Sequence, residues 1–179
     1  MWHELLGTGH GAPCRFAMLF LCLFLSVSSK AQLSMRDVLL SMPDSIFCYV
    51  DHEKVLDLVD YWDARMPAQV VNRLDGDTSL DALTADSLAM TISSVQKVQA
   101  LLLRVENPVD SVGQVVVLFR NYTLSTGQSD QEVACYTADW RPLVAIPPVS
   151  ASDAERIDRL VNRVDNLLKY DGDMLNKSE

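Results

Sequence analysis

The sequence contains few of the residues from which reactive sites are usually built. Its 179 residues include three histidines and four cysteines. It has no glycine-rich phosphate loop, no GxSxG nucleophile elbow and no pair of CxxC motifs. These absences argue against an ordinary nucleotide enzyme, and no motif predicts a cofactor.

Long apolar runs are absent, with one exception near the start. Phe16 to Val27 is apolar apart from a single serine, and it follows Arg15. A cationic flank, a short apolar core and small residues before the cut make up a secretory signal peptide. Ser29 and Ala31 fit the small-residue positions, so residues 1–31 are predicted to be removed and the mature chain to begin at Gln32. A membrane-spanning helix needs about 20 apolar residues, so no transmembrane segment is expected after cleavage.

Positive charge is scarce as well. Fifteen Lys and Arg residues stand against 24 Asp and Glu, which gives a formal net charge of -9. Loss of residues 1–31 removes Arg15, Lys30 and Glu4 and brings the net charge to -10. Because phosphate backbones and anionic lipid headgroups repel so acidic a domain, nucleic acid is not expected as a partner.

The mature chain has the length of a single domain, enough for one hydrophobic core but not for two of ordinary size. We expect residues 32–150 to form its α+β body. Residues 151–172 are predicted to form a C-terminal helix of the same domain, and residues 173–179 a short tail.

Cysteine is limited to two positions after residue 31, Cys48 and Cys135. Two cysteines are too few for a disulfide-stapled scaffold, but they permit one bridge in an oxidising compartment. The alternative is that both are thiols packed as small apolar side chains. The sequence leaves the two interpretations open.

Helical spacing of apolar residues marks the start of the mature chain. A short helix is predicted from Ser34 to Leu40, and a second from the N-cap Asp51. The apolar positions of the two helices are Met35, Val38, Leu39, then Val55, Leu58, Val59, Trp62 and Met66. The second helix carries aspartates on its other face, and we interpret them as solvated.

The clearest helix is the last. Ser152 and Glu155 have the spacing of a capping box, and Gly172 is a C-terminal stop. A single apolar stripe connects these signals, made of Ile157, Leu160, Val161, Val164, Leu167 and Leu168. Since an isolated helix of this length is marginal in water, we expect the stripe to pack on the sheet.

Between these helices the apolar period changes to two, which is typical of strands. Asp75-Gly76 is a favoured pair for a tight hairpin turn. Candidate strands follow one another at 70–74, 87–93, 95–105, 114–124, 132–137 and 143–146. Helices first, strands in the middle and a closing helix predict an α+β fold with an antiparallel meander of about five to six strands.

Several short strings resemble those of a known family when they are taken in order. They are Met42-Pro43-Asp44-Ser45, then residues 56–60, 82–88 and 108–111, and finally Tyr136 to Leu143. Together they resemble the DUF3256 family, small exported proteins of unknown function from Bacteroides-type bacteria. The resemblance implies a Gram-negative cell and a periplasmic or outer-envelope location. The family has no assigned activity, so it implies no site residue.

His52 is the one histidine after residue 31. A Ser-His-Asp or Cys-His site would need it as the base. Its neighbours are charged, however, which is typical of the polar start of a helix. A zinc-protease motif would also require a histidine where Leu56 stands. We therefore favour a structural role for His52.

A calcium loop is the one metal site that the spacing suggests. Its candidate ligands are Asp75, Asp77, Ser79, Asp81 and Asp86. An EF-hand also needs glycine at the sixth loop position and glutamate at the twelfth, and neither is present. A hairpin with solvated acidic residues is the favoured alternative.

Three aromatic residues lie on or beside the second predicted hairpin, Tyr122, Tyr136 and Trp140. They could form a contact surface for a glycan or a peptide. The favoured alternative is that they pack under the terminal helix, where each ring would bury a large apolar area.

Three functions stay open at this point. The leading one is a non-catalytic binding domain that contacts an envelope protein, a glycan or a lipid, because the polar residues form no reactive constellation. The second is a hydrolase of envelope polymers that uses carboxylates. The third is a lipid or lipoprotein carrier, with the apolar run Val115 to Phe119 lining a cavity rather than forming a strand buried on both faces.

Overall fold

The computed structural model describes residues 32–108, 112–124, 126 and 128–162. The expected signal peptide, the stripe residues Val164, Leu167 and Leu168, the stop at Gly172 and the expected tail all lie outside the described residues. In the part that is described, no helix is long and apolar enough to cross a membrane.

The body of the protein is a seven-stranded antiparallel sheet, which confirms the predicted α+β meander. The strands are β1 (Gln69–Val71), β2 (Asp77–Leu83), β3 (Ser87–Ser93), β4 (Gln96–Arg104), β5 (Gln114–Thr123), β6 (Ser129–Thr137) and β7 (Pro142–Leu143). Each strand pairs with its neighbour in the chain. Strand β2 has no counterpart among the sequence-predicted strands, because its acidic residues obscure the alternation of buried Thr78 and Leu80.

Two helices precede the sheet, α1 (Met35–Leu40) and α2 (His52–Asp63). A capping box fixes the start of α1: the Asp37 N–H donates to the Ser34 hydroxyl, and the Asp37 carboxylate accepts from the Ser34 N–H. Helix α2 ends before the predicted stripe residue Met66, which is 54% exposed. The reason is local, since Arg65 adopts a positive φ of 57° just beyond the helix.

A terminal helix occupies residues 151–162 of the described chain. Its N-terminal cap is not the predicted pair of Ser152 and Glu155. The Ser150 hydroxyl instead accepts from the Asp153 N–H at 3.2 Å and donates to the Asp153 carboxylate at 2.9 Å. Because the helix begins directly after Ser150, Ser152 lies inside its first turn and cannot serve as the cap.

The sheet is covered on both faces. Helices α1 and α2 and the loop at 41–50 lie over the first face, and the terminal helix lies over part of the second. Strand β5 passes between the two cores, and its residues 115–119 have no exposed surface. Val116 and Leu118 belong to the first core, and Val115, Val117 and Phe119 to the second. The run is therefore a strand buried on both faces.

Candidate functional site

A pocket of about 250 Å³ lies on the first face of the sheet, between the loop at 45–49 and strands β4, β5 and β6. We call it the hairpin pocket. Its polar lining comes from Gln96, Arg120, Tyr122 and Glu132. Alternation along antiparallel strands places these side chains together: Arg120 lies opposite Glu132 across β5 and β6, and Gln96 opposite Tyr122 across β4 and β5.

Arg120 is the centre of this polar lining, and its side chain is only 11% exposed. Its Nη1 donates to Glu132 Oε1 at 2.8 Å. Its Nη2 lies 3.4 Å from both the Ile46 carbonyl and the Tyr136 hydroxyl. A buried cation is tolerated when a counter-charge and hydrogen bonds compensate it, and here the loop, β5 and β6 all contribute.

Tyr122 extends the network toward solvent. Its hydroxyl donates to Glu132 Oε2 at 3.3 Å, and Gln96 Nε2 donates to the same hydroxyl at 3.5 Å. Burial, followed by the negative charge of Glu132, raises the pKa of Tyr122. Burial acts to lower the pKa of Arg120, but the hydrogen bond to Tyr136 and the charge of Glu132 outweigh it and raise that pKa. The phenol thus stays protonated and the guanidinium charged.

The three aromatic residues of the predicted contact surface occupy different environments. Tyr122 lines the hairpin pocket, and Tyr136 supports its arginine. Trp140 is buried beneath α1, where its indole N–H donates to the Val38 carbonyl at 2.8 Å. The rings of Tyr136 and Trp140 are tilted, with centroids 5.7 Å apart. The helix over Trp140 is therefore α1 on the first face and not the terminal helix.

His52 is the first residue of α2, and its contacts are structural. Its N–H donates to Asp44 Oδ1 at 2.7 Å, and its ring Nδ1 lies 3.2 Å from the Met42 carbonyl. Both bonds fasten the start of α2 to the loop before it. Asp51, the expected N-cap, makes no side-chain cap bond and pairs with Arg73 instead.

The structure does not bring the five calcium candidates together. Asp75 lies in the turn before β2, whereas Asp86 lies in the turn after it and pairs with Arg156 at 2.9 Å. Asp81 accepts hydrogen bonds from Ser79 and from Thr91, and Asp77 begins the strand. Within the described ranges, no group of three or more His, Cys, Asp or Glu side chains is arranged to hold a metal ion.

The two cysteines also lie apart, and both thiols are free. Cys48 is exposed in the loop on the first face and lines the hairpin pocket. Cys135 is buried in the core of the second face. A disulfide requires Cα atoms within about 7 Å, and here the sheet lies between the two side chains.

A second concavity, of about 500 Å³, lies on the other face of the sheet beside the terminal helix. We call it the sheet groove. Asp81, Lys97, Gln99 and Asn121 line it, and Leu160 forms one wall two residues before the described part of the helix ends. Tyr122, whose hydroxyl belongs to the Arg120 network, also lines this groove, and none of the described charged residues of the groove forms an ion pair like that of Arg120.

Arg120 and Gln96 were not predicted from the sequence as site residues. The available signal was the position of Arg120 directly after the apolar run that ends at Phe119. A charge inside a strand that is otherwise buried needs a partner, and Glu132 could have been proposed once β5 and β6 were aligned as a hairpin.

Comparison with known families identifies the chain at family level. Residues 26–178 match the family described as "Protein of unknown function (DUF3256)". The chain belongs to this family. DUF3256 has no assigned activity in that description, so membership confirms the resemblance and leaves the function open. No curated protein matches the sequence.

A solved structure has a similar fold. It is described as "Structure of a domain of an uncharacterized protein from Porphyromonas gingivalis W83". It is 21% identical, with a TM-score of 0.51, and the match covers 64% of this chain and 56% of that one. The chain thus spans little more than half the length of this relative, and the likeness concerns the fold alone.

Proposed function

We propose that this DUF3256 protein is a non-catalytic binding domain of the bacterial envelope, and that the hairpin pocket holds one neutral sugar unit of an envelope glycan. The observation that carries the proposal is the Arg120 network. It presents a guanidinium, a carboxylate, an amide and a phenol within one small concavity.

The charge balance of the pocket favours a neutral ligand. The guanidinium of Arg120 is compensated by Glu132 at 2.8 Å, so the pair offers donors and acceptors without net charge. The Glu132 side chain is 53% exposed and has acceptor capacity left. Vicinal sugar hydroxyls, which both donate and accept hydrogen bonds, suit such a set.

The remaining lining provides the apolar contact that a sugar ring needs. Tyr122 and the 41% exposed Tyr49 both line the pocket. Aromatic rings combine a flat apolar face with a polar tip. A volume of about 250 Å³ admits a single sugar ring rather than a long chain. The domain would therefore bind one unit of a larger polymer.

Binding without hydrolysis is the better reading of this pocket. Glycosidases usually place two carboxyl groups on either side of the scissile bond. Among the described residues that line the hairpin pocket, Glu132 alone has a carboxylate, and both of its oxygens already accept hydrogen bonds. The envelope location is part of the proposal. It is supported by the signal-like residues 1–31 and by a compact unit that begins at Leu33.

The proposal is tested by screening the purified protein against immobilised neutral glycans and following the best binder by NMR titration. We expect shifts at Gln96, Tyr122 and Glu132, and at least a tenfold weaker affinity for Gln96→Ala and Tyr49→Ala. Both side chains lie at the rim, so the fold should survive. Leu33→Ala, at an exposed apolar residue (43% exposed) whose backbone bonds to Gln114 at the opposite end of β5 from Tyr122, is the matched control and should bind normally.

Two results would contradict the proposal. One is the absence of binding to any neutral glycan at millimolar concentration. The other is release of reducing ends from a bound oligosaccharide, abolished by Glu132→Gln, which would support the carboxylate hydrolase instead.

A further inference from the structure

The outer edge of β6 is only partly covered. Strand β7 has two residues and pairs with β6 at Cys135 and Tyr136 alone. Among the described residues, no strand pairs with β6 on this side beyond Cys135. Residues 129–133 therefore form an open strand edge, which we call the β6 edge.

The main-chain groups of the β6 edge point outward at alternate residues. The Thr137 N–H donates to the Arg141 carbonyl at 2.9 Å, so odd-numbered residues of β6 face β7. Past Cys135, which pairs with Leu143, the next outward residues are Val133 and Gln131. The Gln131 N–H donates a hydrogen bond to the carboxylate of Asp130 at 2.8 Å. A strand added beside β6 could bond to the outward main-chain groups of these residues and continue the pairing that β7 begins.

A groove with several apolar side chains opens where the chain leaves this edge. It has a volume of about 300 Å³ and lies between the end of β6 and the segment at 142–146. Val133, Leu143, Val144 and Ile146 line it. Val133 is 41% exposed and Val144 fully exposed, although both are apolar. Clustered exposed apolar side chains beside an open edge are typical of a docking surface.

The charges along the β6 edge are negative. Asp130 and Glu132 project from the first face of the strand and are both exposed, and Val133 projects from the second. One face of an added strand would therefore meet the Asp130 carboxylate and, next to it, the Arg120–Glu132 ion pair, and the other would meet Val133 and the groove. Cross-strand pairs of opposite charge stabilise a sheet, whereas like charges destabilise it.

We propose that the β6 edge binds an extended segment of a partner protein in which apolar and cationic residues alternate, and that this segment adds to the sheet as an eighth strand. The residue opposite Val133 is apolar and enters the groove. The residue opposite Asp130 is lysine or arginine, and the residue opposite Glu132 is a hydrogen-bond donor to that half-exposed carboxylate, whose charge Arg120 already compensates. Main-chain hydrogen bonds to the N–H and carbonyl of Val133 and to the carbonyl of Gln131 provide the affinity, since the Gln131 N–H is already bonded to Asp130, and the side chains provide the selectivity.

A second copy of this chain does not fit the same edge. Two β6 edges placed side by side would bring together two strands that each carry the exposed Asp130 carboxylate, and each copy already carries a net charge of -9. The repulsion favours a cationic partner. This inference does not rest on the hairpin pocket, which is formed by other side chains apart from Glu132.

The test uses the full chain and an acetylated ten-residue peptide that alternates valine or threonine with lysine. Fluorescence anisotropy should show saturable binding that weakens at high salt. Hydrogen exchange should show slower exchange at the amide of Val133 in the complex. The same peptide with aspartate in place of lysine should bind at least tenfold more weakly.

Two variants of the protein locate the site. Val133→Pro removes an outward N–H and leaves the β5 ladder intact, since proline is tolerated where the N–H faces away from the sheet. Asp130→Lys reverses one charge at an exposed position and needs no change of backbone. Each should weaken peptide binding at least tenfold. Asp60→Lys, the same charge change on the exposed side of α2, is the matched control and should leave affinity within twofold.

Three outcomes would overturn the inference. One is equal affinity of the peptide for the protein, Val133→Pro and Asp130→Lys. Another is self-association that Val133→Pro abolishes, which would make a second copy the occupant. The third is an amide of Val133 that is already protected in the free protein and becomes exchangeable when residues 163–179 are deleted. In that case the occupant is the chain's own C-terminal segment.

Discussion

At the scale of single residues, burial decides the chemistry of the cysteines. Cys135 lies in the second core, and its burial raises the pKa of the thiol to about 11 from the ordinary value of 9.0. Cys48 is exposed at the rim of the hairpin pocket. The two thiols should therefore react very differently, since the thiolate is the reactive form.

This difference predicts how stability depends on pH. The unfolded chain ionises Cys135 near pH 9, but the folded chain holds it neutral to about pH 11. The stability that comes from burying the neutral thiol is complete below pH 9 and is lost as the pH rises from 9 to 11. Urea unfolding should show the loss, with a slope of at most about 1.4 kcal/mol per pH unit for one group.

Cys135→Ala is the control for this prediction, and it should remove that part of the pH dependence. In parallel, thiol alkylation at pH 8 followed by peptide mapping should label Cys48 within minutes and leave Cys135 unlabelled until the protein unfolds. Equal labelling of both positions in the native protein would contradict the buried placement of Cys135.

Sequence reasoning is weakest at this scale. It selected Tyr122 and Tyr136 because they are aromatic, and the structure puts both in the Arg120 network. Arg120 and Gln96 could not be selected, because the partners of their side chains depend on the register between strands. The calcium candidates were grouped by spacing alone, and an extended strand separates side chains that a loop would bring together.

At the scale of elements, periodicity was a sound guide. The apolar positions Met35, Val38 and Leu39 in α1 and the alternation in β3 appear in the structure as predicted. The cap of the terminal helix is Ser150, two residues before the expected Ser152. Serine is a favourable N-cap at either position, so the sequence did not distinguish them. Strand β2 was not among the predicted strands, since acidic residues occupy exposed positions in it.

The turn between β1 and β2 depends on one side chain that no local pattern reveals. Asn72 is buried, and its Nδ2 donates to the Ile92 carbonyl at 2.9 Å. Its Oδ1 accepts from the N–H groups of Leu74 at 2.9 Å and Gly76 at 3.1 Å. Asp75 completes the turn with a positive φ of 56°, which aspartate tolerates better than most residues.

Asn72→Ala should therefore destabilise the protein by about 2–3 kcal/mol, because it leaves buried main-chain groups without partners. Chemical denaturation would measure the change in the free energy of unfolding. Asn72→Asp keeps the acceptor but loses the donor to Ile92, so it should also destabilise. A loss below about 0.5 kcal/mol for Asn72→Ala would mean that solvent replaces these bonds.

At the scale of the whole molecule, the terminal helix protects the second core. Ile157, Leu160 and Val161 pack against that core, and Arg156 joins the helix to Asp86 at 2.9 Å. The position of this helix on the sheet was predicted from its stripe. The face of the sheet that the helix covers was not predicted, because both faces of the central strands are apolar.

Deleting residues 151–179 should expose the second core, increase the binding of an apolar dye such as ANS and destabilise the protein by about 3 kcal/mol or more. Differential scanning calorimetry and dye fluorescence would measure both effects. Deleting only residues 173–179 keeps every described contact of the helix and the whole predicted stripe, so this variant is the matched control and should stay close to the full chain. Equal dye binding by the two truncated chains would contradict the assigned role.

The strand order of the sheet has a consequence for how the chain folds. Every strand lies beside its sequence neighbour, so the sheet can grow one hairpin at a time while each step closes a short loop at low entropic cost. The hydrogen bond between Trp140 and Val38 joins positions 102 residues apart. Nucleation should therefore start within the meander, and α1 should dock late, once the far end of the sheet exists.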